Sequence, residues 1–188
     1  MGWKVVKLDD RLYRRRIAVF SLILSLFALS LFAVVSSVAL NVYLHELGHY
    51  SVAALYDLNP EMHISNVVEM DSEGIRMNMN PEAYVRYKDP GDTWKNIHIT
   101  IAGPLVNLIL FVVFVLFQVY IHNRLSRKAD KARRRGLRKQ ELRYSRICLI
   151  ADIVLLSMAV PSLLSVIMNM LDTPGSDGAF LRELFREL

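Results

Sequence analysis

The sequence predicts an all-α polytopic membrane protein of one domain, with about four transmembrane helices and a small β-hairpin between the second and third. Three observations carry that prediction. The chain of 188 residues is 53% hydrophobic, with a mean hydropathy of +0.28. Its apolar residues gather into runs of about 20 or more, long enough to cross a bilayer core. Between the early and the late runs, residues 58–96 turn polar and acidic and are punctuated by Pro60, Pro81 and Pro90-Gly91.

Residues 1–16 form a short basic lead in which Arg11, Arg14, Arg15 and Arg16 precede the first apolar run, and Trp3 and Tyr13 suit the membrane interface. Ile17 to Leu44 contains no Lys, Arg, Asp or Glu. The run is too long for a signal-peptide core and lacks a small-residue cleavage site, so it is expected to be retained. Taken on to residue 57 it would make one helix of roughly 60 Å at 1.5 Å per residue, twice the hydrocarbon thickness. The expectation is therefore two spans, about 17–35 and 38–57, turning near Ser36-Ser37. No Gly, Pro or charge marks that turn, and a single crossing is the alternative. The charges bear on this choice. Two spans split Lys and Arg almost evenly across the membrane, whereas one crossing puts most of them on a single side, as the positive-inside rule prefers.

In the polar stretch, Met62, Ile64, Val68 and Met70 alternate with mostly polar neighbours, as do Ile75, Met77 and Met79. Asp71-Ser72-Glu73-Gly74 separates the two sets, which reads as a β-hairpin over about 60–80. It is either a small cap on the membrane face or an edge to which an extended peptide could add. A third span follows at about 97–121, containing Ala102-Gly103-Pro104-Leu105-Val106-Asn107, whose Asn107 must face the protein interior. Residues 122–146 form a basic loop with helix-forming composition, and residues 147–171 the last span, with Asp152 near its start and Pro161 kinking its middle. Asn169 to Gly178 is rich in helix breakers, and non-helical backbone at membrane depth is tolerated only against protein or a wet cavity. The tail 179–188 reads as a short amphipathic helix, with Phe180, Leu181, Leu184 and Phe185 on one side.

The chemistry gathers at His45-Glu46-Leu47-Gly48-His49. Histidines four apart rise from one helix face, a spacing that suits two nitrogen ligands on a tetrahedral Zn²⁺. Glu46, about 100° round the helix, can reach a water on the metal without ligating it, the arrangement of His-Glu-x-x-His metalloproteases. Ionisable residues inside a membrane span are costly and are read as functional. A catalytic zinc takes a third protein ligand. The single cysteine, Cys148, excludes an internal disulfide and is taken to exclude a cysteine-based zinc site. Candidates for the third ligand are Asp152, Asp172, Asp177, His63, His98 and His122. Asp177 has the most favourable surroundings, since Pro174-Gly175 and Gly178 free the backbone to aim it inward, and Asp172 is the runner-up.

In three motifs and their order the chain resembles the site-2 protease family of zinc intramembrane metalloproteases. These are His45-Glu46-Leu47-Gly48-His49, then Gly103-Pro104-Leu105-Val106-Asn107, then Asn169 to Gly178, which is similar to the family's Asn-x-x-Pro-x-Pro-x-x-Asp-Gly. Asn169, Pro174, Asp177 and Gly178 match that last motif, while Asp172 stands where the first proline is common. The likeness covers about residues 17–178. It implies a zinc-dependent endopeptidase that hydrolyses a peptide bond in or near a transmembrane segment of a membrane protein. It implies His45, His49 and Asp177 as the metal ligands, Glu46 as general base and Asn169 as a helper at the substrate carbonyl. Neither the further C-terminal spans of some members nor PDZ-like or nucleotide-sensing domains are recognised.

The expected partners are a transmembrane protein substrate and the lipid bilayer, anionic lipid facing the two basic clusters, and no nucleic acid. The expected location is multi-pass, in the cell membrane of a prokaryote. Two competing readings are a non-proteolytic binding protein on the same scaffold and a metal-handling or transport protein. An intact Glu46 opposes the first, and the lack of an internal repeat opposes the second. The sequence leaves the substrate and the oligomeric state open.

Overall fold

A computed structural model describes residues 10–64, 68–71, 74–77, 83–171 and 173–188. Three long helices, α1 (Asp10–Leu55), α2 (Thr93–Arg134) and α3 (Arg138–Met170), are each long and apolar enough to cross a membrane. A short helix α4 (Asp177–Arg186) follows the third.

The helical turn expected at Ser36-Ser37 is absent, and α1 runs unbroken for 46 residues. The correction has a simple cause: nothing there ends a helix, and the serines are used for packing. Ser37 is fully buried and donates to the Met158 carbonyl of α3 at 2.8 Å, and Ser30 meets Ser157 at 2.7 Å. A buried stripe of α1 runs through Ala33, Ser37, Asn41, His45, His49 and Ala53, one residue in every four, with Glu46 and Gly48 buried beside it. Four residues turn about 400°, so the stripe drifts about 40° per step around the helix. That drift carries it from α3, which it meets at Ser30 and Ser37, to α2, which it meets at His45 and His49. The rest of α1 presents Phe20, Phe27, Phe32 and Val35 outward, as a lipid-facing surface does.

The contacts also fix direction. Ser30 pairs with Ser157, and farther along both helices His45 and Ser165 meet the same Asn107 amide, so α1 and α3 rise together. His49 reaches Ile99 while His45 reaches Asn107, so α2 runs the opposite way. The N-terminal end of α1 and the α2–α3 turn therefore share one end of the bundle. Gly48 permits a close approach of α1 to α2, because a β-carbon there would sit 2.8 Å from the Ala102 carbonyl oxygen. The basic segment 122–146 is helical, as its composition suggests, but divided. Gly136, at φ +70°, reverses the chain between α2 and α3. Pro161 lies within α3 without ending it, in a turn where the Ser37 and Ser162 hydroxyls both donate to the Met158 carbonyl.

The hairpin lies between the first and second long helices and is only half as drawn from sequence. Strand β2 (Val68–Asp71) pairs antiparallel with β3 (Gly74–Met77), in the register Met70↔Ile75. Strand β1 (Glu61–Ile64) does not extend that hairpin. It pairs with β4 (Ala83–Arg86), Met62 opposite Val85, a partner more than 20 residues away. Met79 lies outside the described residues. Lys88 N–H donates to the Leu58 carbonyl and closes this small layer onto the end of α1, where Ala53, Leu58 and Ile99 form a buried cluster.

Candidate metal centre

Three elements deliver the centre. The last turns of α1 bring His45 and His49 to one face, with imidazole centroids 4.7 Å apart and rings nearly perpendicular. Opposite them α2 offers Gly103. A β-carbon at Gly103 would overlap His49 Nε2 and lie 2.7 Å from Cε1 of both histidines, so only glycine leaves room for the two rings.

Asp177 is delivered by the break after α3. Leu171 leaves helical geometry, Gly175 adopts φ +82°, and Ser176 caps α4 by accepting the Ala179 N–H. A carboxylate in the first turn of a helix is favoured by the exposed amides there. Leu181 and Leu184 hold α4 in place by burying against Ile97 of α2, each worth roughly 1.5–3 kcal/mol when withdrawn from water. Gly178 packs directly on the end of α3, where a β-carbon would come 2.8 Å from the Leu171 carbonyl oxygen. The expected amphipathic tail is present, though Leu181 and Leu184 are the buried pair while Phe180 and Phe185 stay exposed.

The ligand atoms converge. His45 Nε2 lies 3.1 Å from His49 Nε2 and 3.1 Å from Asp177 Oδ2, and His49 Nε2 lies 3.5 Å from Asp177 Oδ1. Ligand distances of about 2.0–2.2 Å at a tetrahedral centre put ligand atoms about 3.3–3.6 Å apart. These residues fit a zinc ion.

Protonation supports the fit. His49 Nδ1–H donates to the Ile99 carbonyl at 2.7 Å, which leaves the Nε2 lone pair aimed at the centre. On the other ring, Nδ1 of His45 lies 3.0 Å from the Asn107 amide, which also contacts Ser165 Oγ at 2.7 Å. With Nδ2 turned to His45, Asn107 Oδ1 is buried without a partner. The two ends of an amide exchange by a half-turn. Turned so, Oδ1 accepts both the Ser165 hydroxyl and the His45 Nδ1–H, the tautomer that frees Nε2 for a metal. Asp177 Oδ2 is also buried without a hydrogen-bond partner. Two imidazole lone pairs facing a carboxylate repel one another unless a cation or a proton lies between them.

Glu46 is buried and lines a cavity of about 840 Å³ beside the histidines, together with Asn169, Tyr84, Pro174 and Phe180. Asn169 donates to Ser165 Oγ at 3.2 Å, which links it to the amide behind His45. The remaining candidates for the third ligand lie elsewhere. His63 stacks on Tyr84, His98 bonds the Tyr56 hydroxyl at 2.6 Å, and His122 and Asp152 pair with each other at 2.9 Å. Asp172 lies outside the described residues. Sequence reasoning missed Ser165 and the Ile99 carbonyl, and it gave Gly103 no role of its own beyond its place in the Gly103–Asn107 motif.

No curated protein and no solved structure matches the chain. The model of Peptidase family M50 does match, over residues 31–187, a range that contains all three motifs and α4. With that match over most of its length, the chain belongs to peptidase family M50, the site-2 protease family of membrane metalloproteases.

Proposed function

We propose that the protein is a zinc-dependent intramembrane endopeptidase that hydrolyses a peptide bond in or near a transmembrane segment of a membrane-protein substrate. The observation that carries this reading is the convergence of His45 Nε2, His49 Nε2 and the Asp177 carboxylate within 3.5 Å, with the buried carboxyl of Glu46 on the same cavity. A structural metal site has no use for that fourth group.

His45, His49 and Asp177 would hold the zinc, which when bound would supply Lewis acidity to activate a water and polarise the scissile carbonyl. Glu46 takes the proton from the attacking water and delivers it to the leaving amine nitrogen. Asn169, whose amide lines the cavity, orients the substrate carbonyl by hydrogen bonding. Ile99 and Asn107 hold the two rings in the ligating tautomer.

A transmembrane helix must unwind before its backbone is accessible. Ala83, Tyr84 and Val85 of β4 line the cavity, and among the described residues β4 pairs only with β1. Its other edge offers main-chain hydrogen bonds to an unwound stretch of substrate. On this reading the pairing edge is β4 rather than the hairpin expected over about 60–80. With one crossing for α1, the basic N-terminus and the basic α2–α3 turn lie on one side of the bilayer, which the positive-inside rule assigns to the cytoplasm.

The test is cleavage of a single-span substrate by the purified chain in liposomes, with products assigned by mass spectrometry. Chelation should stop hydrolysis at one or a few adjacent bonds, and added zinc should restore it. Undiminished cleavage after all zinc has been removed contradicts the proposal.

A further inference from the structure

A second group of metal-capable side chains lies at the other end of the α2–α3 pair. His122 Nδ1 is 2.9 Å from Asp152 Oδ2 and 3.5 Å from Cys148 Sγ, and Sγ is 3.7 Å from Asp152 Oδ2. Cys148 and Asp152 are four apart on α3, so they share a face one turn apart, as His45 and His49 do on α1. The group is separated from the first centre by about 20 Å of helix, taking 15 residues from Asn107 to His122 at 1.5 Å each.

We propose that His122, Cys148 and Asp152 form a second metal site, one that takes Zn²⁺ or another borderline-soft divalent cation. Ligand distances of about 2.3 Å for sulfur and 2.0–2.2 Å for nitrogen and oxygen put S–N and S–O separations near 3.5–3.7 Å at a tetrahedral centre, and N–O near 3.3–3.6 Å. The two sulfur separations meet that geometry, and the N–O pair needs to open by about half an ångström, within the freedom of a half-exposed histidine. The arrangement does not suit a nucleophilic triad. In a triad the thiol and the carboxylate bind opposite nitrogens of the imidazole. Here both approach the same Nδ1, so the three atoms converge on a point instead of forming a relay.

The surroundings also suit an ion. Gln118 Nε2 donates to Asp152 Oδ1 at 2.9 Å and orients the carboxylate so that Oδ2 faces the other two ligands. Cys148 is buried, while the His122 side chain is 48% exposed and opens the group to solvent. Arg124 and Arg127 follow on α2, and Arg143 and Arg146 precede on α3, so the group sits where the apolar spans meet the basic segment. An ion can reach it from water without crossing the bilayer. Binding forms an S–metal bond and releases the thiol proton to solvent, while His122 keeps its hydrogen on Nε2. A single cysteine rules out a site of several thiolates, but it leaves open a mixed site of this kind.

The experiment is Co²⁺ titration of the full chain in detergent, followed by near-ultraviolet absorption, because only thiolate ligation gives a sulfur-to-cobalt charge-transfer band. The expected result is a band that Cys148→Ser removes, that His122→Ala and Asp152→Ala each weaken at least tenfold in cobalt affinity, and that His45→Ala leaves unchanged. Zinc content should fall by one equivalent in Cys148→Ser. Absence of the band overturns the proposal. So does a band that survives both His122→Ala and Asp152→Ala, since the thiol would then bind cobalt without its neighbours.

Discussion

Replacing Gly103 by alanine adds one methyl group at the point where α2 faces both imidazoles. The new carbon would overlap His49 Nε2 and stand 2.7 Å from Cε1 of His45 and of His49. Carbon atoms in ordinary contact lie about 3.5–4.0 Å apart, so the rings or the helix must move by about 1 Å. A ligand set tolerates about 0.2 Å. Overpacking of this kind costs about 1–3 kcal/mol, which a bundle of three long helices survives. The loss should fall on the metal, at least about 100-fold in zinc affinity, or about 2.7 kcal/mol. The assay is zinc retained by the folded variant against a graded series of chelator buffers, with circular dichroism to confirm that the helices persist. Gly136→Ala is the control, since nothing lies within 4 Å of a β-carbon there and only its φ of +70° is strained. It should lose stability at the α2–α3 turn and keep its zinc. If Gly103→Ala binds zinc as the unaltered chain does, the idea that Gly103 makes room for the ligands is wrong.

Other perturbations separate the parts of the account. Asp177→Ala should lower zinc occupancy and remove cleavage, whereas Asp172→Ala should keep both in large part; the reverse pattern would move the third ligand to Asp172. Asn107→Ala should weaken zinc binding about 10- to 100-fold by leaving His45 Nδ1–H unpartnered. Asn107→Asp should bind zinc well, because a carboxylate can only accept; a loss equal to that of alanine would show that Asn107 donates instead. For topology, single cysteines at Lys4 and Gly136 in a Cys148→Ser background should label from the same side of sealed vesicles, and one at Gly91 from the other. Labelling of Lys4 and Gly91 from the same side would restore the two-span reading of residues 17–57.

Much of the site could be read before the fold was known, because its signals are local. The four-residue spacing of His45 and His49 is a property of any helix, and the breakers around Asp177 announce a carboxylate free to leave one. What sequence could not supply was partnership across the chain. Asn107 is recognisable as an interior polar residue, but its neighbours His45 and Ser165 lie 62 and 58 positions away. The Ile99 carbonyl that orients His49 is backbone, using a lone pair that any residue has. The α1 span was misjudged because its length was set against the bilayer thickness, while the residues themselves offered no place to stop. Ser36-Ser37 looked like the weakest point, and Ser37 proved to be a contact with α3. Strand β4 was overlooked since Ala-Tyr-Val-Arg is short and its partner β1 lies across the intervening hairpin. Cys148, Asp152 and His122 were weighed one at a time, and only the pairing of α2 with α3 brings them together.

The most direct test of the central claim is zinc content and cleavage measured on one preparation of Glu46→Gln, made in the Cys148→Ser background so that the zinc counted is that held by His45, His49 and Asp177. An amide keeps the size and shape of the side chain but cannot take the proton from water. The account predicts one zinc per chain, an intact fold, and hydrolysis of the single-span substrate lowered by at least about 100-fold. Turnover equal to that of the Glu46 protein, at full zinc occupancy, would contradict it.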